Sequence, residues 1–60
     1  MRNKLYKAFK KGLTIKGYDS MCEKAWDNKQ FDSVDDFFAE YPSVDIVGIE
    51  IAGNEIRVYD

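Results

Sequence analysis

The chain has 60 residues, 45% hydrophobic and 15% aromatic, with nine basic and eleven acidic side chains, one cysteine and no histidine. That length limits it to a single domain whose stability has to come from its apolar core. One cysteine forms no internal disulfide, and the lack of histidine removes the usual zinc ligand sets and the Ser–His and Cys–His catalytic pairs.

From Asn3, a plausible N-cap, Leu5, Tyr6, Phe9 and Leu13 recur at helical spacing, with Lys4, Lys7, Lys10 and Lys11 on the other side and Gly12 as a stop, which predicts a helix over residues 3–11. Leu13 to Lys16 alternates apolar and polar side chains as a short strand would. Ser20-Met21-Cys22-Glu23 has the S-x-x-E form of a capping box, so a second helix is expected to start there, with Met21, Ala25 and Trp26 turned to the core. Ser33-Val34-Asp35-Asp36 opens a third helix that Tyr41-Pro42 closes. Val34, Phe37, Phe38 and Tyr41 lie on one side of it and Asp35, Asp36 and Glu40 on the other.

Gly53-Asn54 sits between two β-prone runs as a two-residue hairpin loop. Counting outward pairs Ala52 with Glu55, Ile51 with Ile56, Glu50 with Arg57, Ile49 with Val58 and Gly48 with Tyr59. On that register Val47, Ile49, Ile51, Ile56 and Val58 share the core face, while Ile46, Arg57 and Tyr59 fall on the open face. The fold class is therefore α+β, one domain over residues 1–60, with two to three short helices on one face of a C-terminal antiparallel hairpin and a third strand near 13–16.

No stretch approaches the ~18 consecutive apolar residues of a membrane span, and the basic start lacks the apolar run of a signal peptide. No membrane partner is expected, and a reducing, cytoplasmic setting follows from the cysteine usage.

No phosphate-binding, dinucleotide or EF-hand motif is present, so no enzyme activity, metal or cofactor is expected. Asp35, Asp36 and the Asp32, Asp36, Glu40 row could hold a cation on paper, but a solvated helix face explains them more simply. Cys22, next to a predicted helix start, is read as a small core or boundary side chain before a reactive thiol.

The feature that points to function is the division of charge. Residues 1–30 carry eight basic and three acidic side chains, and residues 31–60 carry eight acidic and one basic. The acidic half (Asp32, Asp35, Asp36, Glu40, Glu50) would suit a basic surface on another protein, and Ile46, Arg57 and Tyr59 could add contacts from the open hairpin face. The alternative is a small nucleic-acid-binding module using Lys4, Lys7, Lys10 and Lys11. An exposed last strand would also allow a homodimer through the sheet edge.

In length and charge balance the chain resembles the small accessory proteins of bacteriophages and mobile elements. That resemblance implies a regulator or inhibitor of a host protein in the host cytoplasm and assigns no residues.

Overall fold

A computed structural model of the chain describes residues 2–21 and 24–60. Two helices and a four-stranded mixed sheet make up the fold, in the order α1 (Arg2–Ala8), β1 (Thr14–Asp19), β2 (Lys24–Ala25), α2 (Val34–Glu40), β3 (Gly48–Ala52) and β4 (Glu55–Tyr59). The strands run β2-β1-β4-β3 across the sheet.

β3 and β4 pair antiparallel in the register given by counting outward from Gly53-Asn54: Ala52 with Glu55, Ile51 with Ile56, Glu50 with Arg57, Ile49 with Val58 and Gly48 with Tyr59. Gly53 takes a φ of +65°, the left-handed conformation that a β-branched residue would resist. The strand expected near 13–16 is longer, and it joins β4 in parallel, with Ile15 opposite Ile56 and Gly17 opposite Val58. β4 is therefore a central strand, and the free edge expected of it belongs to β3.

Alternation along β1 and β4 divides the sheet into two faces. Ile15, Ile56 and Val58 are fully buried against Leu5 of α1 and Val34 and Phe37 of α2, so both helices cover the same face. Each such side chain contributes about 1.5–3 kcal/mol on leaving water. Lys16, Tyr18, Glu55, Arg57 and Tyr59 point the other way, onto a face without helices.

Several residues and segments depart from the expected placement. Ile46 is buried in the core, and Val47 is 60% exposed, the reverse of the placement expected from strict alternation. The cause is a β-bulge: Val47 N–H donates to the Tyr59 carbonyl (2.8 Å) although Tyr59 is already opposite Gly48, so two residues face one and the alternation shifts by one position. Ile51, also expected in the core, is 56% exposed on the edge strand.

The helix expected from Ser20 gives way to sheet. The Ser20 hydroxyl donates to the Asp60 carbonyl (2.8 Å), and the Trp26 amide donates to the Gly17 carbonyl (3.1 Å), extending the pairing of β1 with β2. Met21, expected in the core, is exposed. Cys22 and Glu23, the other half of the capping box, lie outside the described residues, as does the expectation of a core or reactive Cys22.

The first helix, finally, ends at Ala8, before residue 11. A turn closed by Leu13 N–H to the Lys10 carbonyl (3.0 Å), with Gly12 at φ +97°, redirects the chain so that the Thr14 amide can donate to the carbonyl of Asn54, the loop residue just before β4.

α2 follows its sequence signal closely. The Ser33 side chain accepts from the Asp36 amide (3.1 Å), and Tyr41 caps the other end before Pro42. Ser33→Ala should cost about 1 kcal/mol, measurable as a lowered urea midpoint. A second test concerns Gly17, where a β-carbon would overlap the Trp26 ring at Cε3. Gly17→Ala should cost about 1–3 kcal/mol in urea unfolding, because the indole has to leave its seat. An unchanged midpoint would mean that the indole does not sit on Gly17.

Candidate binding surface

The acidic side of α2 is built by its cap. With Ser33 fixed, Val34 and Phe37 turn inward, and Asp35, Asp36 and Glu40, with Asp32 just ahead of the helix, are exposed. Asp35 accepts the Tyr6 hydroxyl (2.5 Å), and Glu40 pairs with Lys29 (2.7 Å). Among the described residues Asp32 and Asp36 make no ion pair. Glu50, grouped with these acids in the sequence, lies on the opposite side of the sheet.

The basic helix stands beside the acidic one. Besides the Tyr6–Asp35 bond, the Tyr6 ring lies 5.9 Å from that of Phe38, and Arg2 stacks over Phe38 at 4.1 Å while donating to the Pro42 carbonyl (2.7 Å). Lys4, Lys7, Lys10 and Lys11 are all exposed and make no ion pair among the described residues. The two charged halves of the sequence thus become neighbours in space, joined by a hydroxyl–carboxylate bond and aromatic packing, with direct ion pairing between them at Lys29–Glu40.

The helix-free face of the sheet carries a closed polar network. Tyr18 donates to Glu55 (2.8 Å), Arg57 bonds Glu55 (3.1 Å) and reaches Glu50 (3.7 Å), and Tyr59 donates to Glu50 (3.2 Å). Arg57 also lies over the Tyr18 ring at 5.2 Å, and the Tyr18 and Tyr59 rings are 5.7 Å apart. Arg57 and Tyr59 are therefore on the open face as expected, but both are held by partners within the chain. Ile46 is buried in the core and adds nothing to the open hairpin face.

Sequence reasoning missed a third feature, a groove of about 430 Å³ lined by Trp26, Tyr41, Pro42, Ser43, Val44 and Asp60. Trp26 and Tyr41 meet edge to face with centroids 4.8 Å apart, and the Tyr41 hydroxyl donates to Asp27 (2.7 Å). Burial, and secondarily this bond to Asp27, push the Tyr41 phenol up to about 12. In the sequence Trp26 and Tyr41 carry only the signals of core-facing side chains and Tyr41-Pro42 that of a helix stop, neither of which points to a groove.

Among the described residues no three histidine, cysteine, aspartate or glutamate side chains are grouped to hold a metal ion, and no helix is long and apolar enough to cross a membrane. No family model, curated protein or solved structure matches the chain.

The network on the open face has a measurable signature. Burial pushes the Glu55 carboxyl up, but the Tyr18 hydroxyl and the Arg57 guanidinium outweigh it, so the carboxyl is held below its ordinary value. The folded-state value being the lower one, this carboxylate stabilises the fold above the ordinary glutamate range, and the contribution is lost as pH falls through the depressed value. Tyr18→Phe removes one donor and should bring Glu55 back toward the ordinary glutamate value in a carbon-detected NMR titration. A titration that does not move would contradict the network.

Proposed function

We propose that this chain is a non-enzymatic regulator or inhibitor that docks the acidic side of α2 on a basic surface of another protein. The observation that carries this reading is the row of exposed carboxylates at Asp32, Asp35, Asp36 and Glu40, of which Glu40 alone is ion-paired among the described residues. Carboxylates held on a capped helix over a packed core steer a cationic partner and fix its orientation with little ordering cost. Where the basic surface is itself a nucleic-acid groove, such a protein competes with nucleic acid for it. The size and charge balance shared with phage accessory proteins agree with a host protein as the target.

A second reading, a nucleic-acid-binding module, has one observation in its favour: the exposure of Lys4, Lys7, Lys10 and Lys11 without ion-pair partners among the described residues. The Tyr6–Asp35 contact weakens it, because it brings the acids of α2 beside those lysines, where they oppose a polyanion.

The partner is to be captured with the tagged protein from lysate of its native host, and affinities measured on the purified pair. Charge reversal at Asp35 and Asp36 (D35K/D36K) should weaken the complex by about tenfold or more and flatten its salt dependence. Charge reversal at Lys4 and Lys7 should leave it little changed. Unaltered affinity in D35K/D36K refutes the acidic-face reading, and a gel shift with single-stranded RNA or DNA at low salt that K4E/K7E abolishes would replace it with the second.

A further inference from the structure

The groove beside α2 has the chemistry to hold one cationic side chain. Its walls are the Trp26 and Tyr41 rings with Pro42 and Val44, and its lining contains Asp60 and no lysine or arginine. The Asp60 main chain is fixed by its N–H to the Tyr18 carbonyl (3.0 Å) and by the bonds that its own carbonyl accepts from Ser20. Its carboxylate makes no hydrogen bond or ion pair among the described residues. A second carboxylate, Asp27, stands at the Tyr41 hydroxyl, held below its ordinary value first by that hydroxyl and then by the Lys29 amide. Arg2 bonds the Pro42 carbonyl from outside the lining, and the last turn of α2 holds no basic residue.

Aromatic rings attract a cation through their quadrupole. Among cations the guanidinium group is the more weakly hydrated, stacks flat on a ring and can bind a carboxylate with two parallel hydrogen bonds. The chain already uses the stacking half of this geometry twice, in Arg2 over Phe38 and Arg57 over Tyr18.

We propose that the groove formed by Trp26, Tyr41, Pro42 and Val44 receives an arginine side chain of the protein partner, its guanidinium stacked on the aromatic wall and paired with Asp60. The inference rests on the reading of this chain as a binder of basic protein surfaces, and it names the residue that anchors the partner at the C-terminal end of α2. The acidic helix face then supplies attraction and orientation, while the groove supplies an aromatic contact at which side-chain identity matters.

Trp26 is the chain's one tryptophan and lines both the groove and a neighbouring depression with Asp19, Lys24 and Ala25, so its emission reports this part of the surface and the Asp60→Asn variant ties the signal to the groove. The test titrates the protein with a short, dye-labelled Arg-Gly repeat peptide and with the same peptide carrying neutral citrulline in place of arginine. Two signals are followed: anisotropy of the dye, which reports binding anywhere, and Trp26 emission. The arginine peptide is expected to bind and to change Trp26 emission saturably. Asp60→Asn should weaken that change about threefold to tenfold without loss of fold, since the Asp60 side chain supports no other contact. The citrulline peptide should leave emission unaltered.

If the anisotropy shows binding but Trp26 emission stays flat, the groove proposal fails while the acidic-face reading stands. If neither signal responds, both fail. An equal emission response to citrulline shows an apolar or proline-type groove and overturns the assignment to arginine, as does an Asp60→Asn protein that responds like the parent.

Discussion

The parallel pairing of β1 with β4 is the contact on which the rest of the structure depends. It joins residues about forty positions apart, with Thr14 opposite Glu55 and Tyr18 opposite Tyr59, and so carries a large loop-closure cost that local structure cannot repay. The return comes from Ile15, Ile56 and Val58, which form one apolar surface wide enough for both helices only when the two strands are adjacent. The same pairing sets Tyr18 within reach of Glu55 and places Gly17 under Trp26. The indole then rests on backbone, and its outer side is left to form the groove with Tyr41.

How much of this was legible in the sequence follows from the range of the interactions. The Gly53-Asn54 loop and the Ser33 cap act over a few residues, and hairpin register and α2 could both be read directly. The segment around Ser20 carried an equally good local signal and lost to a distant one, because Trp26 and Ser20 find partners at Gly17 and Asp60 that no capping rule contains. Ile46 and Val47 exchanged places for a related reason: a bulge depends on where Tyr59 sits, not on the alternation of Val47 with its neighbours. Among the candidate surface residues, the acids of α2 were legible because helical periodicity turns them outward. The groove was not, since its lining comes from three separated stretches of chain, at Trp26, residues 41–44 and Asp60.

The charge division along the sequence takes on a different meaning in three dimensions. Because β1 and β4 interleave the two halves, the molecule has no simple positive and negative ends. Each helix instead presents its own charge at the surface next to the other's, with Tyr6 and Asp35 at the seam. On the far side of the sheet, Arg57 pairs with both Glu50 and Glu55, which also accept from Tyr59 and Tyr18, leaving little unspent capacity for a ligand. Among the described residues, Asp32 and Asp36 beside α2, the aromatic groove at its C-terminal end and the exposed lysines of the N-terminal segment keep chemistry that the fold does not consume. A single partner touching both would meet a rigid helix flanked by a side-chain pocket, an arrangement that favours orientation over sheer contact area.

Amide hydrogen exchange of the complex with the partner captured from its native host, compared with the free protein, locates the contact surface. Slowed exchange along α2 and through residues 41–44, with β3 and β4 unchanged, is the result expected if partner contact runs from the acidic helix into the groove. Protection confined to the helix-free face around Lys16, Tyr18 and Arg57, with α2 exchanging as in the free protein, would contradict it.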